Sequence, residues 1–314
     1  MTIKKSAALP ALLLMALAVV AYIFFRAPTQ TEPRNVERAQ PAMNTSPTRG
    51  VDAKRDDQGL KQRTLSNTAD LSAQYQKATD LAEFIAANTE SAKAGNGKAA
   101  RLIESAYAEC ASVGKDGQEY IEFMEKTLGG GIKDANRRQL FEKALRGRVS
   151  RCATIIATGI PSGTIQQWSE LARKEGDLSS QVSSLPPFNA GDIKTQDVQN
   201  LIARIASAGD GEAMAALGST MGTVTREQAA IYGKFSGNPN SSYVWQLAAC
   251  QFGLDCGPDG AALRNICVLS GECGYATLED VYREHLSPIE FEEVVRQKAE
   301  LVAALQSGEI NKLY

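Results

Sequence analysis

Apolar residues recur at helical spacing through most of the chain after residue 69, and the strict alternation that marks half-buried strands is almost absent. Ala99, Leu102, Ile103, Ala106, Tyr107, Cys110 and Val113 share one helical stripe. Phe141, Leu145, Val149, Cys152 and Ile156 form a second, and Phe291, Val294, Val295, Leu301, Val302 and Leu305 a third. The third helix also carries its own boundaries. Ser287 is placed as N-cap, Pro288 in the first turn and Glu290 at the capping-box position, with Gly308 just beyond the end. These periods predict an all-α fold.

A different pattern opens the chain. Lys4 and Lys5 precede an uncharged run from Ser6 to Phe25, which Arg26 closes. The run is close to the roughly 20 apolar residues that cross a bilayer core as a helix. A secretory signal peptide is the competing reading, with Ala16-Leu17-Ala18 as the one tidy cleavage pattern. Cleavage there would leave the apolar segment from Val19 to Phe25 as a new N-terminus, which favours an uncleaved anchor. Lys4 and Lys5 hold the short leading segment in the cytoplasm. Residues 26–68 follow, with Pro28, Pro33, Pro41 and Pro47 and few large apolar side chains, the composition of a disordered tether. The expected organisation is therefore a cytoplasmic N-terminus at 1–6, a single transmembrane anchor at 7–25 and a tether at 26–68. Helical hairpins at 69–240 and a cysteine-rich helical segment at 241–314 complete it.

The helices are separated by a recurring turn. Ala92-Lys93-Ala94-Gly95-Asn96-Gly97-Lys98-Ala99 matches Ala206-Ser207-Ala208-Gly209-Asp210-Gly211-Glu212-Ala213, and Leu171 to Asp177 is a more decayed copy. In each, a glycine suited to the left-handed conformation ends one helix and an Asn or Asp caps the next. The separations, 33 residues from Gly176 to Gly209 and 81 from Gly95 to Gly176, suit units in the mid-thirties to about forty residues. Trp168 to Gln181 and Leu201 to Gly218 resemble degenerate Sel1-like repeats, relatives of the tetratricopeptide class. The matching residues are Trp168, Ala172 and Gly176-Asp177, then Gly209-Asp210 with Ala213 to Gly218. The family's Tyr-x-x-Gly-x-Gly segment is missing after Leu217. The resemblance implies helical hairpins stacked as a short irregular α-solenoid or bundle, a protein-binding scaffold and no catalytic residues.

All six cysteines, Cys110, Cys152, Cys250, Cys256, Cys267 and Cys273, lie beyond the apolar run. An even count outside the cytoplasm points to disulfides. Cys110 and Cys152 sit on the apolar stripes of separate helices, where one bond would pin the two together. The last four admit local or crossed pairing. A helix starting near Gly257 and reaching Ile266 would hold Cys256 far from Cys267, which favours Cys250–Cys256 and Cys267–Cys273. Zinc is the rival, but a five-residue gap within each pair lies outside the usual ligand spacing, and no C-x-x-C redox motif occurs.

Catalytic chemistry finds little to work with. The single histidine, His285, sits beside a helix cap among charges, so two-histidine metal sites are excluded and any triad would need this one residue. Glu104 and Glu109, like Glu292 and Glu293, read as solvated helix faces. Gly129-Gly130-Gly131 lacks the spacing of a phosphate loop and reads as a flexible joint. Lys133, Arg137, Arg138, Lys143, Arg146, Arg148 and Arg151 spread around their helix at 100° per residue. That predicts a solvated helix, with an anionic-partner site as the sharper alternative. The segment after Glu272 is acidic by contrast, a division that could orient a partner. Net charge is −2, which implies no nucleic-acid partner.

The expectation is thus a single-pass bacterial inner-membrane protein with a periplasmic body, acting as a scaffold or adaptor for a protein partner in the cell envelope. No cofactor, metal or catalytic residue is assigned. A cell-wall hydrolase using a Glu is one alternative. The other is a steric chaperone resembling membrane-tethered lipase foldases, whose Arg-x-x-Phe-Asp-Tyr motif this chain lacks.

Overall fold

Short polar side chains that start helices and glycines that end them set the element boundaries. The computed structural model describes residues 71–185 and 194–314. The expected anchor at 7–25 and tether at 26–68 lie outside the described residues. After a helix over 71–77 (α1) come α2 (Leu81–Lys93), α3 (Gly97–Val113) and α4 (Gly117–Thr127). A 3₁₀ turn at Gly129–Gly131 leads to the long α5 (Ala135–Thr158), then α6 (Thr164–Lys174) and α7 (Leu178–Ser183). The remainder is α8 (Thr195–Ala208), α9 (Gly211–Thr223), α10 (Ala229–Tyr232), α11 (Ser241–Gln251), α12 (Ala261–Ser270), α13 (Leu278–His285) and α14 (Pro288–Gln306). A final 3₁₀ turn spans Ile310–Leu313. No strand occurs among the described residues, and no described helix is long and apolar enough to cross a membrane.

The three repeated turns take the conformation their residues demand. Gly95, Gly176 and Gly209 have φ of +102°, +84° and +59°, which only glycine adopts freely. Asn96, Asp177 and Asp210 then accept hydrogen bonds from the amides of Ala99, Ser180 and Ala213 at 3.1, 2.8 and 3.0 Å. Asp80, Asp116, Asp134, Thr277 and Ser287 start other helices in the same way, and Ser287 with Glu290 forms a complete capping box.

The second glycine of two turns does something the sequence did not reveal. Gly97 opens α3 against the turn that follows α6: a Cβ there would lie 2.8 Å from the Glu175 carbonyl oxygen. Gly211 opens α9 against the turn that follows α11, where a Cβ would lie 2.2 Å from the Leu254 amide nitrogen. The two most extensive helix pairings, α3 with α6 and α9 with α11, are the ones these glycines permit.

Three apolar clusters result. One joins α2, α3, α6 and the C-terminal half of α5 around Leu81, Ile103, Ala106, Cys152 and Ala172. The largest joins α8, α9, α11, α13 and α14 around Ile202, Met214, Leu217, Trp245 and Leu301, with Trp245 Nε1 donating to the Phe235 carbonyl at 2.9 Å. It mixes residues before and after position 240, so the core does not divide there. The smallest, Met124, Phe141, Leu145, Cys267, Val268 and Cys273, lies where α4 and α5 meet α12.

Two expectations need correction here. The helix placed at 257–266 begins at Ala261 and runs to Ser270, because Asp255 and Gly257 form a turn first: the Gly257 amide donates to Asp255 Oδ1 at 3.0 Å. The glycine triplet is a 3₁₀ turn, its first carbonyl held by Arg138 Nη2 at 2.7 Å and Gly129 itself buried.

Candidate functional site

The cysteines are the first candidate residues, and all six are paired. Cys110–Cys152 links α3 to α5, Cys250–Cys256 ties the end of α11 to the loop after it, and Cys267–Cys273 ties α12 to the loop before α13. This is the local arrangement of the last four, the one in which no bond has to span α12. No cluster of His, Cys, Asp and Glu among the described residues could hold a metal ion. Cys110 and Cys152 are buried in the first core.

One residue before Cys110 and one before Cys152, the sequence expectation fails. Glu109 is not on a solvated face: its side chain is 14% exposed. It accepts the Tyr75 hydroxyl at 2.7 Å, and Arg151 Nε and Arg148 Nε lie 3.6 and 3.9 Å away. Arg148 and Arg151 are likewise turned inward, 9% and 13% exposed, while Arg138, Lys143 and Arg146 of the same helix, and Lys133 just before it, face solvent. Burial, then the Glu109 charge, pushes the Tyr75 phenol well above its ordinary range, so it stays neutral and donates to the carboxylate. Arg264 of α12 completes the group, its Nη1 donating to the Gln76 carbonyl at 3.1 Å.

Glu104 is also less solvated than expected, pairing with Arg101 at 3.1 Å, and burial raises its pKa. It neighbours a second polar centre, where the repeated turns meet. Lys98 reaches from one turn to Glu212 beyond another, 2.7 Å apart, and feels Asp210 and Asp177 as well. These attractions outweigh burial and raise the lysine's pKa, while Lys98 lowers that of Glu212. The arrangement fastens turns; both capping aspartates are engaged with backbone amides, and no carboxylate here stands free to take a proton from a substrate.

His285 closes α13. Its Nδ1 lies 2.7 Å from the Val281 carbonyl and its Nε2 lies 2.6 Å from Glu272. The Val281 carbonyl, then Glu272 and Glu284, raise its pKa against a smaller opposing effect of burial. Because the folded value is raised, this contribution to stability is complete below the ordinary histidine range near pH 6.5 and is lost as pH rises through the folded value. As the single histidine, it is expected to give one NMR titration with a midpoint above 6.5. Glu272→Gln should move that midpoint down. A midpoint at or below 6.5 in the native chain would refute the contact.

The acidic and basic segments partly answer each other within the chain. Arg137 of α5 makes a two-pronged contact with Glu284 of α13, at 3.1 and 3.2 Å, and lies over the Tyr275 ring. Three large apolar side chains on elements close to these in chain order stay exposed. Phe123 on α4 and Leu269 on α12 are each 61% exposed, and Leu140 of α5 is exposed against Gly274. All three belong to the elements that enclose the smallest core. A separate groove of about 450 Å³ lies between α1 and α2, lined by Lys77, Thr79, Asp80, Glu83, Phe84 and Asn88. Asp80 in it caps α2 and accepts the Thr154 hydroxyl at 2.6 Å, so it too has a structural task.

Comparison with known proteins gives no match: no family model, curated protein or solved structure is significantly similar to the chain.

Proposed function

We propose that this chain is a membrane-anchored, extracytoplasmic helical scaffold that binds a protein partner in the cell envelope. The observation that carries the reading is the exposure of Phe123, Leu140 and Leu269 around the smallest core, whose α12 edge is braced by Cys267–Cys273. Large apolar side chains left exposed on the elements around one core are the kind of surface that marks interaction sites. A disulfide at their base limits the conformational freedom that binding would otherwise remove, which favours affinity. Three disulfides suit an oxidising compartment. The uncharged run at 7–25 supplies the anchor and the proline-punctuated segment at 26–68 the tether, which gives a periplasmic body on the inner membrane. The paired helices joined by Gly-Asn/Asp turns are then degenerate Sel1-like hairpins, stacked as a short irregular solenoid.

Site-specific photo-crosslinking of the full chain in its membrane tests this. A crosslinker at position 123 or 269 should give one discrete adduct with a different protein, and a crosslinker at the solvent-facing Lys174 should not. An adduct of twice the chain's own mass would make the face a self-association surface instead. Intact mass before and after reduction checks the compartment: an uncut N-terminus with three disulfides fits, and six free thiols would place the body in the cytoplasm.

A further inference from the structure

The junction of α1, α3, α5 and α12 holds more positive charge than its partners balance. Arg148 and Arg151 stand nearly one turn apart on α5, and Arg264 approaches from α12. Burial, then the charge of Arg151, holds the Arg264 pKa below the usual guanidinium range. Glu109 is the carboxylate shared by this group, and Asp255 adds a weaker attraction to Arg264. Glu109 Oε2 is already occupied by the Tyr75 hydroxyl. Its Oε1 is 3.6 Å from Arg151 Nε and 3.9 Å from Arg148 Nε, beyond the roughly 2.7–2.9 Å of a charge-assisted hydrogen bond.

The guanidinium donors are mostly unspent. Each group carries about five N–H donors. Among the described residues each makes one hydrogen bond, and each goes to a neutral acceptor. Arg148 Nη2 donates to Asn265 Oδ1 at 2.6 Å, Arg151 Nη2 to the Tyr75 carbonyl at 2.8 Å and Arg264 Nη1 to the Gln76 carbonyl at 3.1 Å. Arg151 Nε is buried without any hydrogen-bond partner there. Charges withdrawn from water are costly unless a counter-charge with good hydrogen-bond geometry accompanies them.

We infer that Arg148, Arg151 and Arg264 form a binding site for a small oxyanion of the phosphate or sulfate type, reached from the side of Arg264, the half-buried member. Planar donor forks suit oxyanions that accept several hydrogen bonds at once. An anion there would join α5 to α12 and so couple the first core to the cystine-braced face. The oxyanion can arrive as a free ion or as part of an envelope molecule; the site chemistry is the same.

The test uses the full chain extracted in a non-ionic detergent, with inorganic phosphate as probe and sodium chloride at matched ionic strength as reference. Millimolar phosphate should raise the melting temperature saturably, by about 7 °C if it reaches one hundred times its dissociation constant. Arg264→Gln should unfold near the native temperature without phosphate and lose the increment, while Lys174→Gln should keep it. An equal rise in chloride, or a full increment in Arg264→Gln, would overturn the site. Should Arg264→Gln not fold, isothermal titration of the native chain decides: saturable heat with phosphate sustains the site, and its absence ends it. If phosphate binds, a soluble phosphomonoester and vesicles of anionic phospholipid compared against it distinguish the two sources.

Discussion

Cys110→Ala and Cys152→Ala are each expected to lower the unfolding free energy by about 4 kcal/mol, the chain-entropy value for a loop of this length. The bond spans 42 residues and joins two helices whose other contacts are also made in the first core. For a body of this size the melting temperature should fall by roughly 10 °C. The double variant should cost little more than either single one, because the covalent link is lost only once. Cys250–Cys256 and Cys267–Cys273 each span 6 residues, and the same model gives about 2 kcal/mol apiece. Calorimetry of the oxidised proteins checks this. Single variants that melt with the native chain would mean that Cys110–Cys152 contributes nothing, and reduction of the native chain should reproduce the loss.

The second large effect separates two helical glycines with opposite surroundings. Gly211→Ala is expected to cost about 3 kcal/mol or more, the upper range for overpacking, because its methyl group meets backbone instead of a movable side chain. The new Cβ would lie 2.2 Å from the Leu254 nitrogen and 2.9 Å from both Leu254 Cα and the Ala249 carbonyl oxygen. Relief requires α9 and α11 to move apart, which opens the most extensive helix contact in the largest core. Gly147→Ala should do the opposite. Gly147 lies exposed in the interior of α5 with open space around its Cα, so alanine should stabilise by about 0.5–1 kcal/mol through lower unfolded-state entropy. Denaturant midpoints of the two variants must move in opposite directions. A Gly211→Ala protein as stable as the native chain would show that the α9–α11 contact is wrong.

The same distinction runs through the comparison of sequence with structure. Local chemistry was legible. Stop and start signals at Gly95-Asn96, Gly176-Asp177, Gly209-Asp210 and Ser287 to Glu290 act within a few residues, and each acts in the structure as its residue type requires. The apolar stripes on α3 and α14 were legible for the same reason, since helical period alone says which residues share a face. The placement of Cys110 and Cys152 on such stripes made a bond between two helices readable before their approach was known.

Period does not say what arrives to cover a second face. On α5 the stripe read from sequence packs inward, Val149 and Ile156 partly buried against the first core, but Arg148 and Ile155 on its flank are buried as well. Arg148 is enclosed because α12, more than 100 residues later, lies against that flank and offers Asn265. Glu109 looked solvated until α1 brought Tyr75 over it. Gly97 and Gly211 had no role legible in the repeated turns, whereas each is the point at which a distant backbone comes too near for a side chain.

What the sequence by itself determined is therefore the helical class, the repeated Gly-Asn/Asp turns with their caps and the boundaries of the last long helix, because those depend on interactions between near neighbours along the chain. The tertiary structure alone decided that Arg148 and Arg151 share one carboxylate close to Arg264, that Arg137 meets Glu284 across 147 residues, and that two glycines permit the most extensive helix contacts. Those outcomes depend on which surfaces meet after the helices exist, and burial, pairing and close approach acquire their free energies only once they do.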